Sequence, residues 1–223
     1  MIAYLSSKAD KRIFDALKRE GFDIHPLAPF RALCEPTDTH ADMLMCSVGD
    51  KIFKHEDYTM NSDKFVDISD QMSAKYPHDV LLNIAIVGKN AFCNLKFASN
   101  TVLDHLKENG FEIHHVEQGY AHCSTCIVSE NAIITADEGI AKVAEQVGID
   151  VLKISAGHIS LPPYDYGFIG GASGICGDKV YLCGSLSYHP DGERIRAFIN
   201  AHGKAAIELC DAPLSDVGGI LFV

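Results

Sequence analysis

Two short segments of the sequence bring together side chains that take part in nucleophilic catalysis. His122 is followed directly by Cys123, and His40 is followed two positions later by Asp42, so that on a strand His40 and Asp42 would share one face. A cysteine thiolate attacks trigonal carbon atoms, a nearby histidine transfers protons, and carboxylates orient and stabilise a charged substrate. The alternative is that Cys123 is a small buried hydrophobic residue and that His40 lies in an ordinary loop, because buried cysteines are often unreactive.

Cys123 and Cys126 also form a C-x-x-C pair, which is typical of some metal and redox sites. We interpret residues 122–128 as a strand, on which residues three positions apart point to opposite faces, so that one ion could not bind both thiols. Scattered ligands, with His114 or His158 beside Cys123, remain an alternative, although single histidines are more often ordinary core or surface residues. The sequence predicts no metal ion and no cofactor.

Glycines are concentrated in residues 167–177, which read GFIGGASGICG. This segment is not a dinucleotide-binding fingerprint, because it follows a proline-rich loop and leads into a hairpin rather than a helix. We favour the interpretation that two backbones approach closely here and leave room for a ligand. A tight packing point without a ligand is the alternative.

The composition restricts the class of protein. A length of 223 residues suits one large domain or two small ones, and 47% hydrophobic residues can form a sizeable core. The net charge of −11 argues against nucleic acid or an anionic membrane as a partner. No apolar stretch is long enough to span a membrane, residues 1–7 lack signal-peptide features, and the eight scattered cysteines indicate reduced thiols. We therefore expect a cytoplasmic protein.

An internal repeat of roughly 40 residues runs through the chain. Residues 14–27 (FDALKREGFDIHPL) and residues 103–116 (LDHLKENGFEIHHV) each indicate the end of an amphipathic helix, a glycine and a strand. Residues 143–154 and 198–209 are weaker copies. In each copy the glycine, Gly21 in the first, stands where a helix ends in the left-handed conformation.

A hairpin pattern separates the copies: a strand, a short polar turn and a second strand. It occurs at residues 43–53, 83–92, 124–134 and 173–182. Each unit is therefore predicted to be strand, strand, helix, strand. The predicted helix N-caps are Ser7, Ser99, Asp137 and Asp191.

The two ends of the chain complete a fifth unit. Residues 215–223 look like a first strand without a hairpin partner, and residues 1–6 look like a second strand with nothing before it. Pairing these ends closes a ring without open sheet edges. Residues 54–80 fit least well, because no helix of repeat type is evident there and Pro77 interrupts them. We predict an α/β fold of five ββαβ units in one domain, residues 1–223.

Five such units in a ring resemble the pentein α/β-propeller. Arginine deiminases, dimethylarginine dimethylaminohydrolases and amidinotransferases have this fold, as does a non-enzymatic ribosome anti-association factor. The segment His40-Ala41-Asp42 resembles the H-x-D element of the enzymes, and residues 119–123 (GYAHC) resemble their glycine-containing approach to a His-Cys nucleophile. Asp216, in SDVGGILF, matches the first acid of their carboxylate-bearing strand. The cyclic order of these elements is the same, but the chain opens elsewhere, which implies a circular permutation.

The resemblance implies a role for each matching residue. Cys123 would be the nucleophile and His40 the acid/base, and the substrate-binding residues would be Asp42, His122, Gly170, Gly171 and Asp216. Two departures affect this interpretation. The final strand has no cysteine, and the two glycines stand where the family has acids that bind a guanidinium. Their missing side chains would leave space for a bulkier or less basic ligand than arginine.

Two functional hypotheses follow. The first is a Cys-dependent hydrolase or transferase acting on a guanidine, amidine or related C–N bond. The second is a non-catalytic ring that binds a small molecule or a protein partner. The matching cyclic order favours the first, and the missing acids favour the second. Under the first hypothesis, Cys123 should be the most reactive of the eight thiols if His40 or another cation lowers its pKa. The sequence does not specify an oligomeric state.

Overall fold

The computed structural model describes residues 1–60 and 63–223. The α-helices in this part of the chain are α1 (Lys11–Arg19), α2 (Ala41–Leu44), α3 (Asn100–Glu108), α4 (Glu138–Gln146) and α5 (Gly192–Ala201). The strands are β1 (Ile2–Ser6), β2 (Asp23–Leu27), β3 (Met45–Val48), β4 (Lys51–His55), β5 (Phe65–Ile68), β6 (Ala85–Val87), β7 (Asn90–Cys93), β8 (Glu112–His115), β9 (Thr125–Ser129), β10 (Ala132–Thr135), β11 (Asp150–Lys153), β12 (Ser173–Cys176), β13 (Lys179–Leu182), β14 (Ala205–Glu208) and β15 (Leu221–Phe222).

These strands form five three-stranded sheets of identical topology. Their orders are β15-β1-β2, β3-β4-β5, β6-β7-β8, β9-β10-β11 and β12-β13-β14. In each sheet the first strand pairs antiparallel with the second, and the second pairs parallel with the third. This arrangement confirms the predicted five-unit α/β-propeller. We call β3, β6, β9, β12 and β15 the inner strands.

Four units use a helix of nine or ten residues to connect their parallel strands. Helix α1 is representative: its buried face carries Ile13, Ala16 and Leu17, and Gly21 follows its end with a φ of 90°. Its N-cap is Asp10 rather than the predicted Ser7, because the Asp10 carboxylate accepts from the backbone N–H of Arg12. The other three predicted N-caps, Ser99, Asp137 and Asp191, precede their helices as expected.

The second unit is the irregular one. Its parallel strands β4 and β5 are joined without a helix among the described residues, as the sequence of residues 54–80 predicted. Within that range, residues 61 and 62 lie outside the described part of the chain. No helix of the described residues is long and apolar enough to cross a membrane.

The predicted pairing of the chain ends is confirmed. Ala3 pairs with Phe222 and Tyr4 with Leu221, and the backbone N–H of Ile2 donates to the carbonyl of Val223 at 2.8 Å. Buried apolar side chains fill the spaces between sheets and helices and between neighbouring sheets.

The segments that precede the inner strands are hydrogen-bonded to one another at the ring centre. The backbone N–H of Asp42 donates to the carbonyl of Gly218 at 2.9 Å, and Asn83 Nδ2 donates to the carbonyl of Asp42 at 3.0 Å. Asn83 Oδ1 in turn accepts from the backbone N–H groups of His122 (2.7 Å) and Cys123 (3.2 Å). These bonds form three links between four neighbouring segments, and the side chain of Asn83 makes two of the three links.

Two further links close the cycle. The N–H of Gly171 donates to the carbonyl of Cys123 at 3.0 Å, and the N–H groups of Val217 and Gly219 donate to the carbonyl of Gly171 at 2.9 and 2.7 Å. Each unit thus donates to the preceding one around the whole ring. Backbone groups pair directly in three of the five links, whereas the side chain of Asn83, which is 1% exposed, makes the other two.

We predict that Asn83→Ala destabilises the protein. The change leaves the N–H groups of His122 and Cys123 and the carbonyl of Asp42 without these partners in a buried region, and one unpaired buried group costs about 1–3 kcal/mol. We expect the free energy of unfolding in urea to fall by on the order of 3 kcal/mol. Asn200→Ala, on the exposed side of α5, is the control and should change it by less than about 0.5 kcal/mol. Equal effects of the two changes would contradict the role of Asn83.

Candidate functional site

The candidate residues are brought to the ring centre by the segments before the inner strands. The expectation that His40 and Asp42 share a face of a strand is wrong, because Ala41–Leu44 form one helical turn before β3. The N–H groups of Met43 and Leu44 donate to the carbonyl of His40 and hold this turn. The turn still directs both side chains into the centre, where they are almost completely buried.

His40 contacts the carboxylate of Asp216 at this centre. Its Nδ1 lies 3.7 Å from Asp216 Oδ1, and its side chain is only 4% exposed. Burial lowers the pKa of His40, outweighing the opposite effect of the neighbouring Asp42 and Asp38 carboxylates. A side chain at Gly218 would overlap with His40, so the glycine makes this close approach possible. The imidazole is therefore a neutral group that is able to accept a proton.

Asp42 and His122 face each other beside it. Asp42 Oδ2 lies 3.9 Å from His122 Nδ1, and the Asp42 side chain is fully buried whereas that of His122 is 33% exposed. Neither carboxylate oxygen of Asp42 has a hydrogen-bond partner, and His122 Nδ1 has none. Burial alone would raise the pKa of Asp42, but His122 and His40 outweigh it and hold this pKa below its usual value.

Cys123 lies in the turn before β9 and is 4% exposed. Asn83 Nδ2 donates to its Sγ at 2.9 Å. Burial raises the pKa of the Cys123 thiol well above its usual value, and the carboxylates of Asp42 and Asp216 raise it further. The condition set for a reactive Cys123, a cation that lowers its pKa, is therefore not met, because the charges that act on the thiol are negative.

Asp216 is held by two backbone donors. The N–H of Phe168 donates to its Oδ2 at 2.9 Å and the N–H of Gly218 to its Oδ1 at 3.0 Å. Burial, and next the negative charge of Asp42, raise the pKa of Asp216 to about 7 in spite of these bonds. The two carboxyl groups therefore share one proton over much of the pH range, and Asp216 carries it.

Gly170 and Gly171 are sites of close backbone approach. A side chain at Gly170 would overlap with the carbonyl oxygens of His122 and Cys123, and one at Gly171 would overlap with the carboxylate of Asp216. The chain segments thus approach closely within residues 167–177, as both interpretations of this segment require. The space expected from the two missing acids is absent, because Asp216 and the neighbouring backbone fill it.

A cavity of about 230 Å³ leads to this cluster between the inner strands. Asp42, His122 and Gly170 are among its lining residues, with the carboxylate of Asp42 itself fully buried, whereas His40, Cys123 and Asp216 do not line it. The seven predicted site residues thus lie together. Asp42 and His122 line the cavity, and the thiol of Cys123 lies deeper in the protein.

An aromatic cluster lies on the chain segments next to Cys123 and Asp216. The rings of Tyr120 and Phe168 stack at 6.3 Å, and the rings of Tyr76 and Tyr120 lie 5.9 Å apart. The hydroxyl of Tyr120 donates to Asp79 Oδ2 at 2.7 Å. Tyr120 immediately precedes the His122-Cys123 turn and Phe168 binds Asp216 through its N–H, so this cluster fixes two of the central segments.

The alternative ligand residues are dispersed. Cys126 lies on β9 and is fully buried in the core, whereas Cys123 lies in the turn that precedes this strand. His114 lies on β8, and His158 lies in the loop that follows β11. Among the described residues, no three histidine, cysteine or acidic side chains are grouped so that they could hold a metal ion.

Sequence reasoning did not identify Asn83 as a site residue. Its side chain contacts Cys123 Sγ, the carbonyl of Asp42 and, at 3.3 Å, the sulfur of Met43. The one available signal was a lone amide side chain within the apolar run of residues 80–87. A buried amide in such a run needs hydrogen-bond partners, which is the reason to suspect a structural or functional role.

Comparison with solved structures identifies the fold as that of the pentein family. A mutant dimethylarginine dimethylaminohydrolase from Pseudomonas aeruginosa, complexed with citrulline, superposes with a TM-score of 0.56 at 12% identity, covering 93% of this chain and 91% of that one. An agmatine deiminase from C. jejuni gives 0.54 at 14% identity, with 95% and 87% covered. An amidinotransferase of the saxitoxin biosynthetic pathway from Microseira wollei gives 0.53 at 10% identity, with 92% and 87% covered.

At these identities the likeness concerns the fold. A search of curated proteins gave no match. A family model, described as a family of unknown function (DUF6873), matches residues 4–221, which is nearly the whole chain. The chain therefore belongs to the DUF6873 family.

Proposed function

We propose that the protein is a Cys-dependent hydrolase or transferase that acts on a C–N bond of a cationic small molecule. The observation that carries this proposal is the convergence of a thiol, a neutral imidazole and two carboxyl groups next to one cavity, which Asp42 lines. In this proposal Cys123 is the nucleophile, His40 the acid/base, and Asp42 and Asp216 the carboxyl groups that bind the substrate. The pentein fold of guanidine-modifying enzymes is consistent with it.

The charges around Cys123 suit a cationic substrate. Without a ligand, Asp42 and Asp216 disfavour the thiolate and keep the pKa of Cys123 high. A guanidinium or amidinium bound to Asp42 would compensate that negative field and favour the thiolate when the electrophilic carbon is in place. Such coupling would keep the thiol unreactive towards other electrophiles.

The proposed reaction has two stages. His40 accepts the thiol proton, and the sulfur forms a bond to the trigonal carbon of the substrate. The C–N bond then breaks, and the leaving amine takes the proton from His40. Water or an acceptor amine subsequently attacks the same carbon, gives up a proton to His40 and displaces the Cys123 sulfur as a thiolate. The thiolate then takes this proton from His40, which restores the thiol and the neutral imidazole.

A second candidate function, ligand binding without chemistry, is favoured by one specific observation. Cys123 does not line the cavity, whereas Asp42 and His122 are among its lining residues. A ligand could therefore bind to these two residues and never contact the sulfur. Experiments on the thiol and on turnover distinguish the two functions.

We predict that turnover requires Cys123 and His40. Guanidines, amidines and amides that raise the melting temperature would be assayed for release of an amine. We expect Cys123→Ser to lower kcat by about 10³-fold or more, because the hydroxyl is a much weaker nucleophile, and His40→Ala by about 10²–10⁴-fold. Cys126→Ser, at a buried cysteine outside the site, is the matched control. Unchanged turnover in Cys123→Ser would refute the mechanism, and ligands without turnover would favour the binding function.

We predict that Cys123 prefers a cationic alkylating reagent. Chloroacetamidine and chloroacetamide have similar size, but only the amidine is charged at pH 7, so Asp42 should attract it and favour the thiolate. The ratio of the two alkylation rates at Cys123, measured by mass spectrometry, should exceed the ratio at exposed Cys34 by about tenfold or more. Asp42→Asn should remove this difference. The same ratio at both cysteines would contradict the proposed role of the carboxylates.

We predict that Asp216 makes stability depend on pH. Its pKa is about 7 in the folded protein and close to the model-peptide value of 3.8 in the unfolded chain, so the folded state alone holds this proton between those values. This contribution stabilises the protein at low pH and disappears as the pH rises through 7. Asp216→Asn should therefore gain about 2 kcal/mol relative to the parent protein between pH 5 and pH 8 in urea unfolding. The control is Asp104→Asn on the exposed side of α3, and parallel curves for Asp216→Asn and the parent would contradict the assignment.

A further inference from the structure

The outer part of the cavity is an apolar rim built from the inner strands. Every inner strand contributes to it, and the partly exposed lining residues on these strands are Ser47, Ile86, Ile127, Gly174, Ile175, Leu221 and Phe222. Four of these residues have aliphatic side chains, and Phe222 adds an aromatic ring. A ligand that reaches the inner end of the cavity from this side must therefore place its remaining atoms against hydrocarbon.

The layer below the rim offers little more polarity. Thr125 Oγ1 already donates to the carbonyl of Ala121 at 2.8 Å, and Ser173 Oγ donates to the carbonyl of Gly170 at 3.2 Å. Their hydroxyl protons are therefore used within the protein. Along a strand, two residues correspond to about 7 Å, so an apolar region of this depth separates the rim from the charged end.

The inner end, in contrast, holds the buried carboxylate of Asp42. Neither of its oxygens has a hydrogen-bond partner, and its ion pair with His122 joins Oδ2 to Nδ1 at 3.9 Å. A buried carboxylate without hydrogen-bond partners is costly, and a planar cation with two parallel N–H groups would satisfy it. No lysine or arginine lines the cavity among the residues that the structure describes, so the carboxylate of an amino acid would find no partner there.

We infer that the cavity binds a planar monocation with one unbranched apolar tail and no acidic group. This inference deepens the proposed function and rests on it for the chemistry at Cys123. The cationic head contacts Asp42 and the tail lies between Ile86, Ile127 and Ile175. Arginine is disfavoured by its carboxylate. Agmatine is disfavoured by its second cationic group, the ammonium at the end of the tail, which would be desolvated at the rim.

Pentylguanidine and agmatine provide a direct test, because they differ only in a methyl group against an ammonium group at the end of the tail. Titration calorimetry should give pentylguanidine a Kd at least about tenfold lower than agmatine or arginine. Asp42→Asn should weaken pentylguanidine by tenfold or more. Agmatine or arginine binding as tightly as pentylguanidine to the unmodified protein would overturn the inference.

A charge placed in the rim should reverse the preference. Ile175→Glu supplies a carboxylate for the ammonium group of agmatine and should make agmatine the tighter ligand. Ile175→Gln, whose side chain has the same shape as glutamate but no charge, should not. If Ile175→Glu fails to fold by circular dichroism, Ile86→Glu with its control Ile86→Gln replaces it. An unchanged preference in a folded Glu variant would place the tail elsewhere and overturn the inference.

The outcomes also separate this inference from the proposed function. Selective binding of pentylguanidine that depends on Asp42, without any turnover, would support the inference and refute the catalytic proposal. Rapid Cys123-dependent turnover of arginine would support the catalytic proposal and overturn the inference.

Discussion

The cycle of hydrogen bonds at the ring centre is the constraint on which the site depends. Each of the five units donates to the preceding one, and the side chain of Asn83 bridges the gap where two backbones do not meet. The same bonds fix the turns that carry Asp42, His122 and Cys123. The stability of the ring and the geometry of the site therefore depend on the same hydrogen bonds, because any shift of a unit would move a site residue.

The electrostatics of the centre follow from this forced proximity. Two carboxyl groups are buried near each other, so that one keeps its proton, and the thiol beside them is protonated as well. The neighbouring imidazole is neutral because it is buried. The carboxylate of Asp42 forms no short hydrogen bond in this centre, so a bound cation would complement its negative charge.

The sequence contained most of the architecture, because helix, glycine and hairpin patterns repeat with local residue signals. It also indicated the irregular second unit and the pairing of the chain ends. Local geometry was less accessible: the helical turn at residues 41–44 replaces an expected strand, and the pKa of Cys123 is raised rather than lowered. Both depend on contacts between units, as does the role of Asn83, and one-dimensional patterns do not contain such contacts.

The crowding of Gly171 against Asp216 limits how such a site can evolve. An acidic side chain at position 171 would occupy the space of the Asp216 carboxylate, so this chain could carry an acid at both positions only if the Asp216 side chain moved. Transfer of the acid from one segment to the other requires two substitutions. If Asp216 is replaced first, the intermediate protein lacks the acid. If an acid is introduced at position 171 first, its side chain overlaps with that of Asp216. In this chain, therefore, no single mutation moves the acid from Asp216 to position 171 without loss of the charge or overlap of the two side chains.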